Sequence, residues 1–333
     1  MYPVSGRLQK IYTQPGSTSL LEAMTGISSA ADGQARPFLK WAGGKTQLLE
    51  EFAARFPPGL RRGDIRRYVE PFVGGGAVYF MVTVSYPVRE SLIWDANPDL
   101  VTAYAVVKGD PEGLIRELRD LESRYRSLGE EERKAFYYRI RERFNRLPRE
   151  GFSGSDDPRA VQATAALVFL NRTCYNGLYR VNSRGGFNVP FGKYRNPRIL
   201  DETGLRAASA ALATTQVHLG DFTRCTPFVN DHTFVYLDPP YRPLSRTSSF
   251  TAYARAGFGD EDQRRLARFF RELDRTGARL MLSNSDPMSR DPGDRFLEDL
   301  YRGYRIERVP ARRAINSVGG GRGRITELII TNY

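Results

Sequence analysis

Thr233-Phe234-Val235-Tyr236-Leu237-Asp238-Pro239-Pro240-Tyr241 is a run of β-branched, aromatic and apolar residues that stops on an acid and two prolines. Five such residues in succession read as a strand buried on both faces, the kind found inside a parallel sheet. Proline cannot donate to a sheet ladder, so the strand ends at Asp238. Upstream, Arg67-Tyr68-Val69-Glu70 reads as a short strand leading into Pro71-Phe72-Val73-Gly74-Gly75-Gly76. An apolar helical run follows, then a second strand, Ser91-Leu92-Ile93-Trp94-Asp95, and a helix from about Asn97 to Val107. Downstream, the pattern predicts a helix from about Asp260 to Thr276 and a strand from Ala278 to Leu282. Strand-like runs from Arg305 to Val309 and Thr326 to Thr331 close the chain. Strands alternating with helices predict an α/β fold with a doubly wound, Rossmann-like sheet.

Between the two halves of that pattern the alternation breaks. Residues 111–150 are charged and helical in period, 159–171 form a more apolar helix, and Asn171 to Pro197 is rich in Gly, Asn, aromatic and basic residues, as a hairpin with loops would be. The expected organisation is therefore an α/β domain over 35–105 and 201–333, interrupted by a mostly helical domain over 106–200 with its hairpin near 171–197. Residues 1–34, rich in Ser, Thr, Gly, Gln and Ala, read as a loosely held extension. Just after it, Leu48, Leu49, Phe52, Ala53 and Phe56 repeat at helical spacing, with Pro57-Pro58 expected to end that helix.

The charge balance points to a polyanion. Fifty Lys and Arg stand against 38 Asp and Glu, a net of +12, and the surplus is concentrated. From Pro158 to Leu200 there are seven basic residues and no acid; from Tyr301 to the end there are seven Arg against Glu307 and Glu327. Two cysteines, Cys174 and Cys225, cannot form a disulfide framework, and with two histidines they make no zinc-type cluster. No signal-like segment or span of eighteen apolar residues occurs, so a cytoplasmic protein without a metal or a membrane partner is expected.

Three short stretches carry chemistry. Gly74 to Gly76 follows a strand at the head of a helix, where backbone can approach a ligand closely. Asp95 ends the next strand, where an acid commonly binds ribose hydroxyls. A dinucleotide fingerprint beginning at Gly74 would need Gly at position 79, which is Tyr79. Phe38-Leu39-Lys40-Trp41-Ala42-Gly43-Gly44-Lys45-Thr46 ends like a phosphate-binding loop, but that motif needs Gly where Leu39 stands. Lys45 instead suits a carboxylate, and Trp41 an adenine face or an apolar wall. At Asp238-Pro239-Pro240-Tyr241, a carboxylate and a rigid carbonyl can each accept one N–H of an exocyclic amine. That localises a lone pair otherwise delocalised into the ring, while Tyr241 stacks on the base. A base reaches such a pocket only by leaving the duplex.

Taken together, FLKWAGGK, EPFVGGG, the segment NRTCYNGLYRVNSRGGFNVPFGKY and LDPPY, in that order from Arg36 onward, resemble the Dam-type (D12 class) DNA adenine-N6 methyltransferases. The resemblance implies S-adenosylmethionine as methyl donor, double-stranded DNA as partner, and GATC as target, with an adenine methyltransferase of a different target sequence as the alternative. It puts catalysis on Asp238, Pro239 and Tyr241. Cofactor contacts fall on Trp41, Lys45, Phe72, Gly74, Gly76, Asp95, Asp221 and Asp238. Target contacts fall on Lys40, Tyr175, Asn176, Leu178, Arg180 and Pro190, with Lys193 on a phosphate. Arg312-Arg313-Ala314-Ile315-Asn316 and Gly319-Gly320-Gly321-Arg322 resemble the family's final loop. A bacterial or phage enzyme at the nucleoid is implied, with a cognate restriction endonuclease and the oligomeric state left open. A cytosine-N4 enzyme would carry Ser in place of Asp238. A non-catalytic DNA-binding relative would lack Asp238, Tyr241 or Lys45. An RNA methyltransferase would lack the recognition hairpin.

Overall fold

Arg67–Glu70 (β1) and Thr233–Leu237 (β4) run parallel at the centre of a seven-stranded sheet, with Arg67 opposite Thr233 and Val69 opposite Val235. The computed structural model describes residues 33–148, 151–242, 258–289, 291–311 and 325–333. Nearly all of the expected 1–34 extension, and the whole of the expected final loop from Arg312 to Arg322, lie outside the described residues. Glu90–Asp95 (β2) and Thr215–Leu219 (β3) extend the sheet on one side. Arg279–Ser285 (β5), Ile325–Thr331 (β7) and Arg305–Ala311 (β6) extend it on the other, giving the order β3-β2-β1-β4-β5-β7-β6. All pairs are parallel except those made by β7, which runs against both β5 and β6.

Successive side chains on a strand face opposite ways, so the alternating large residues of β4 enter two different cores. Phe234 and Tyr236 join the cluster that holds Phe52, Val82, Leu100 and Phe169; Val235 and Leu237 join the one that holds Leu266, Phe270 and Leu297. Helices therefore cover both faces. Ala77–Ser85, Pro98–Gly109 and Glu202–Leu212 lie on the first, Asp260–Asp274 and Phe296–Leu300 on the second. The expected charged helical stretch is two helices, Pro111–Ser127 and Glu130–Arg146, followed by Pro158–Thr173. Twelve of that last helix's sixteen residues are buried, and the first core runs through all three without a break.

Four local features depart from the sequence reading. The expected helix through Phe56 is instead a 3-10 turn, Thr46–Leu48, running into Leu49–Ala53, and Pro58 begins another, Pro58–Arg62, because proline at the first helical position forfeits no hydrogen bond. Glu202–Leu212 and β3 were not anticipated. β3 is an edge strand with mixed burial, and its Thr-Gln-Val-His-Leu sequence shows no clean alternation. The expected hairpin exists only as two isolated bridges, Cys174 with Phe191 and Val181 with Phe187.

Candidate active site

Asp95, Glu70 and Asp238 stand at the carboxyl ends of β2, β1 and β4, three neighbouring parallel strands. The chain leaves β1 and β4 in opposite directions, which opens a crevice beyond that edge of the sheet. The cleft there is about 1680 Å³. Trp41, Lys45, Phe72, Gly74, Gly76, Asp95, Asp221, Asp238, Pro239 and Tyr241 all line it, so the residues expected in catalysis and cofactor binding converge from five separate stretches of chain.

Asp238 is held from both sides. Lys45 Nζ lies 2.8 Å from Oδ2, and Ser283 Oγ donates to Oδ1 at 3.0 Å; Tyr236 hydroxyl and Ser283 share a hydrogen bond of 2.7 Å behind it. The same ammonium donates to the Gly43 carbonyl at 2.8 Å and stands 4.7 Å from the centre of the Tyr241 ring. Burial raises the Asp238 carboxyl above its ordinary range, against the Lys45 charge and the two hydrogen bonds. Burial also raises Glu70 well above its ordinary value, against the Tyr68 hydroxyl bonded to it at 2.6 Å. Lys45 thus faces Asp238 in this state rather than an open ligand position.

The glycine turn is locked to Asp95. Gly74 N–H donates to Asp95 Oδ2 at 3.1 Å and Asn97 N–H donates to Oδ1 at 2.9 Å. Burial pushes the Asp95 carboxyl up to about 6 despite those backbone donors. Tyr104 hydroxyl donates to the Gly74 carbonyl at 3.0 Å. Gly76, at φ +75°, caps the following helix, and a Cβ there would collide with the same hydroxyl. Trp41 packs against this turn and stacks on Tyr179 at 4.9 Å, forming a wall.

At the far end, Phe72 lies 5.1 Å from Phe222 and 5.9 Å from Phe258. Asp221 caps the 3-10 helix Phe222–Phe228 through Thr223 N–H at 3.0 Å, and Arg265 grips its carboxylate with both terminal nitrogens. That guanidinium holds the Asp221 carboxyl below its ordinary range against burial.

The expected target-reading residues divide differently. Lys40 lines the cleft, whereas Tyr175, Asn176, Leu178, Arg180, Pro190 and Lys193 do not and lie along the 174–193 loop. Asn171 joins the two groups. It accepts from Lys40 N–H at 2.8 Å and donates to the Lys40 and Gly177 carbonyls, both at 2.9 Å. Gly177, at φ +62°, lies so close to the Lys40 side chain that any Cβ would clash. Tyr175 N–H donates to the Pro190 carbonyl at 2.9 Å, and Arg180 donates to Asn188 Oδ1 at 2.8 Å. Tyr175 is 55% exposed, unusual for so large a ring, and Asn176 and Lys193 both have positive φ.

Residues 41–315 match the model of the D12 class N6 adenine-specific DNA methyltransferases. The chain belongs to that family. A Type II methyltransferase of Methanocaldococcus jannaschii is 47% identical over 301 residues, spanning 90% of this chain and all of that protein. A Type II methyltransferase of Lactococcus lactis subsp. cremoris is 37% identical, over 90% of this chain and 95% of its own length. The DNA adenine methylase of Escherichia coli K12 is 33% identical, over 88% and 94%. This D12-class enzyme is therefore an adenine-N6 DNA methyltransferase with a mixed α/β fold and a seven-stranded, mostly parallel sheet.

Sequence reasoning missed several residues that shape the methyltransferase site. Ser283 and Tyr236 lie inside strands whose apolar character masks them, and Arg265 sits in a helix whose charges read as solvated surface. Glu327, opposite Ser285 on β7, is a further acid here: burial raises its carboxyl and the Lys45 charge lowers it. Asn171 opens the segment that resembles the family, yet nothing local marks its side chain as a clamp. Among the described residues, no group of three His, Cys, Asp or Glu is placed to hold a metal, and no helix is long and apolar enough to cross a membrane.

Proposed function

We propose that this enzyme transfers a methyl group from S-adenosylmethionine to N6 of an adenine flipped out of duplex DNA, with GATC as its target. The observation that carries the reading is the convergence of Asp95, the Gly74–Gly76 turn, Asp238 and Tyr241 on one cleft at the carboxyl edge of the sheet. The residues fit the donor: an aromatic pair at one end, a sugar-facing acid in the middle and a buried acid–lysine pair at the other. The Phe72–Phe222 pair would pack against its purine, Asp221 would accept from its amino group, and Asp95 would take ribose hydroxyls. When bound, S-adenosylmethionine supplies an electrophilic methyl group.

The chain's own work is to prepare the amine. Asp238 accepts one N–H of adenine and the Pro239 carbonyl accepts the other, turning the nitrogen lone pair toward the methyl group. The burial that raises the Asp238 carboxyl makes it a stronger acceptor for that hydrogen. Lys45 keeps the carboxylate ionised until the amine arrives and competes with it. Tyr241 stacks on the extruded base. Residues 106–200 serve as the target-recognition domain, with Lys40 and the 174–193 loop on DNA and Arg180 on a guanine edge. The Type II names of two relatives favour a partner restriction endonuclease.

Incubating the purified enzyme with S-adenosylmethionine and plasmid, then mapping N6-methyladenine at single-base resolution, tests this. Methylation confined to GATC supports the full reading. Methylation confined to another sequence overturns the target alone, and no methylation of adenine overturns the whole.

A further inference from the structure

Asp221 presents an uneven carboxylate to the cleft. Its Oδ1 accepts from Thr223 N–H at 3.0 Å, from Thr223 Oγ1 at 2.6 Å and from Arg265 Nη2 at 2.5 Å, which saturates it. Among the described residues, its Oδ2 accepts only from Arg265 Nη1, at 2.9 Å. Each oxygen of an ionised carboxylate has about two lone-pair sites, so Oδ1 is filled and one position on Oδ2 remains for a donor. The Arg265 guanidinium also lies 4.6 Å from the centre of the Phe222 ring, whose neighbour is Phe72. All four side chains line the cleft. A planar ring lying beside these aromatics would bring its edge to an acid that can accept a single hydrogen from one direction.

We propose that Arg265 is the positioning residue that makes this end of the cleft selective for a 6-amino purine over a 6-oxo purine. It does so by locking Asp221 with only Oδ2 open. An exocyclic amine donates to that oxygen. A 6-oxo group would set its own acceptor against it, and once the ring covers the half-exposed Asp221 an acceptor left facing an acceptor is costly. Thr223 by itself holds only Oδ1, which leaves the carboxylate free to swing about that contact once the bidentate grip is gone. The inference rests on the reading that S-adenosylmethionine is the donor and names the residue that governs which purine the site accepts.

The test is calorimetric binding of S-adenosylhomocysteine and of its 6-oxo counterpart, S-inosylhomocysteine, to the full chain. The wild type should prefer the amino compound by roughly 100-fold, the order expected when one covered polar group is left without a partner. Arg265→Ala should weaken the amino compound about 10-fold and leave the oxo compound nearly unchanged, so that the ratio falls toward about 10. Arg265→Lys keeps the charge but not the two-point grip and should fall between them. Asp221→Asn should abolish the preference. Equal weakening of both compounds by Arg265→Ala, or an unchanged ratio in both Arg265 variants, overturns the inference while leaving the donor reading intact. Failure of the wild type to bind either compound overturns the donor reading, and the inference with it.

Discussion

The carboxyl edge of the sheet and the 174–198 segment are the two surfaces on which the proposed function rests, and they are held in place by different means. Glu70, Asp95 and Asp238 are positioned by backbone, because each ends a strand whose ladder is fixed by its neighbours. The 174–198 segment has, among the described residues, two isolated bridges and scattered backbone bonds such as Asn188 N–H to the Arg180 carbonyl at 3.0 Å, and side chains reaching over from helices add further ties. Tyr137 hydroxyl and Arg141 both donate to the Val189 carbonyl, at 2.8 and 3.3 Å. Asn145 pairs with Phe187 in both directions, at 2.8 and 3.0 Å, and Asn171 fastens Lys40 to Gly177. A ladder spreads the cost of any one substitution over many bonds. A segment without a continuous ladder depends more on single side chains and can change shape when one is lost.

Removing a group at each surface separates the two. Asp238→Ala should lower the methylation rate by about 1000-fold or more, since it removes the acceptor proposed to prepare the amine. DNA affinity by filter binding and the preference among target sequences should survive. A variant that still turns over would sink the catalytic assignment. Asn171→Ala should act in the opposite sense, costing about 2–4 kcal/mol of stability because three backbone groups lose a partner at a largely buried site. Urea unfolding reports that loss, and sequence discrimination should fall with it while S-adenosylhomocysteine binding persists. Equal loss of both functions would mean that the two surfaces are mechanically one.

This contrast also explains what could be read from the sequence. β1 and β4 coincide with the expected strands, Arg67–Glu70 and Thr233–Leu237, because burial on both faces writes itself into consecutive residues. Asp238 and Asp95 were legible for the same reason, as acids that stop such runs. β3 was not, since an edge strand half in solvent carries no continuous apolar signal. Asn171, Arg265 and Ser283 were not legible because their partners lie 131, 44 and 45 positions away. A polar residue in a helix or strand looks the same whether it faces water or a distant backbone group. The family resemblance placed Tyr175 and Arg180 on the recognition segment, but nothing local showed that Asn188 would orient the Arg180 guanidinium.

A narrower effect is expected at Arg180, which is exposed and anchored on one side only. Arg180→Ala should relax the choice of one base pair by about 1–3 kcal/mol, as loss of a two-point contact to guanine does. Methylation rates on a set of oligonucleotides varied at each position measure it. Equal loss on every sequence would reassign Arg180 to a phosphate.

The smallest effect sharpens the sheet side of the comparison, because even a residue held by backbone has a titratable weakness. The Asp95 carboxyl titrates at about 6 rather than 3.8, since burial disfavours its charge more than the N–H groups of Asn97 and Gly74 favour it. The fold therefore binds this proton more tightly than the unfolded chain does, and the stability tied to it declines as pH rises from about 4 to about 6. Ligand binding runs the other way. Ribose hydroxyls donate, and only the ionised carboxylate has lone pairs to spare beyond those taken by its backbone donors. Affinity for S-adenosylhomocysteine should thus strengthen as pH rises through about 6 and level off above it, being about 10-fold weaker one pH unit below. Asp95→Asn should bind weakly at every pH, with that slope removed. If the slope survives the substitution, the titrating group is another acid of the cleft, and Glu70, buried and raised well above its ordinary range, is the first to replace.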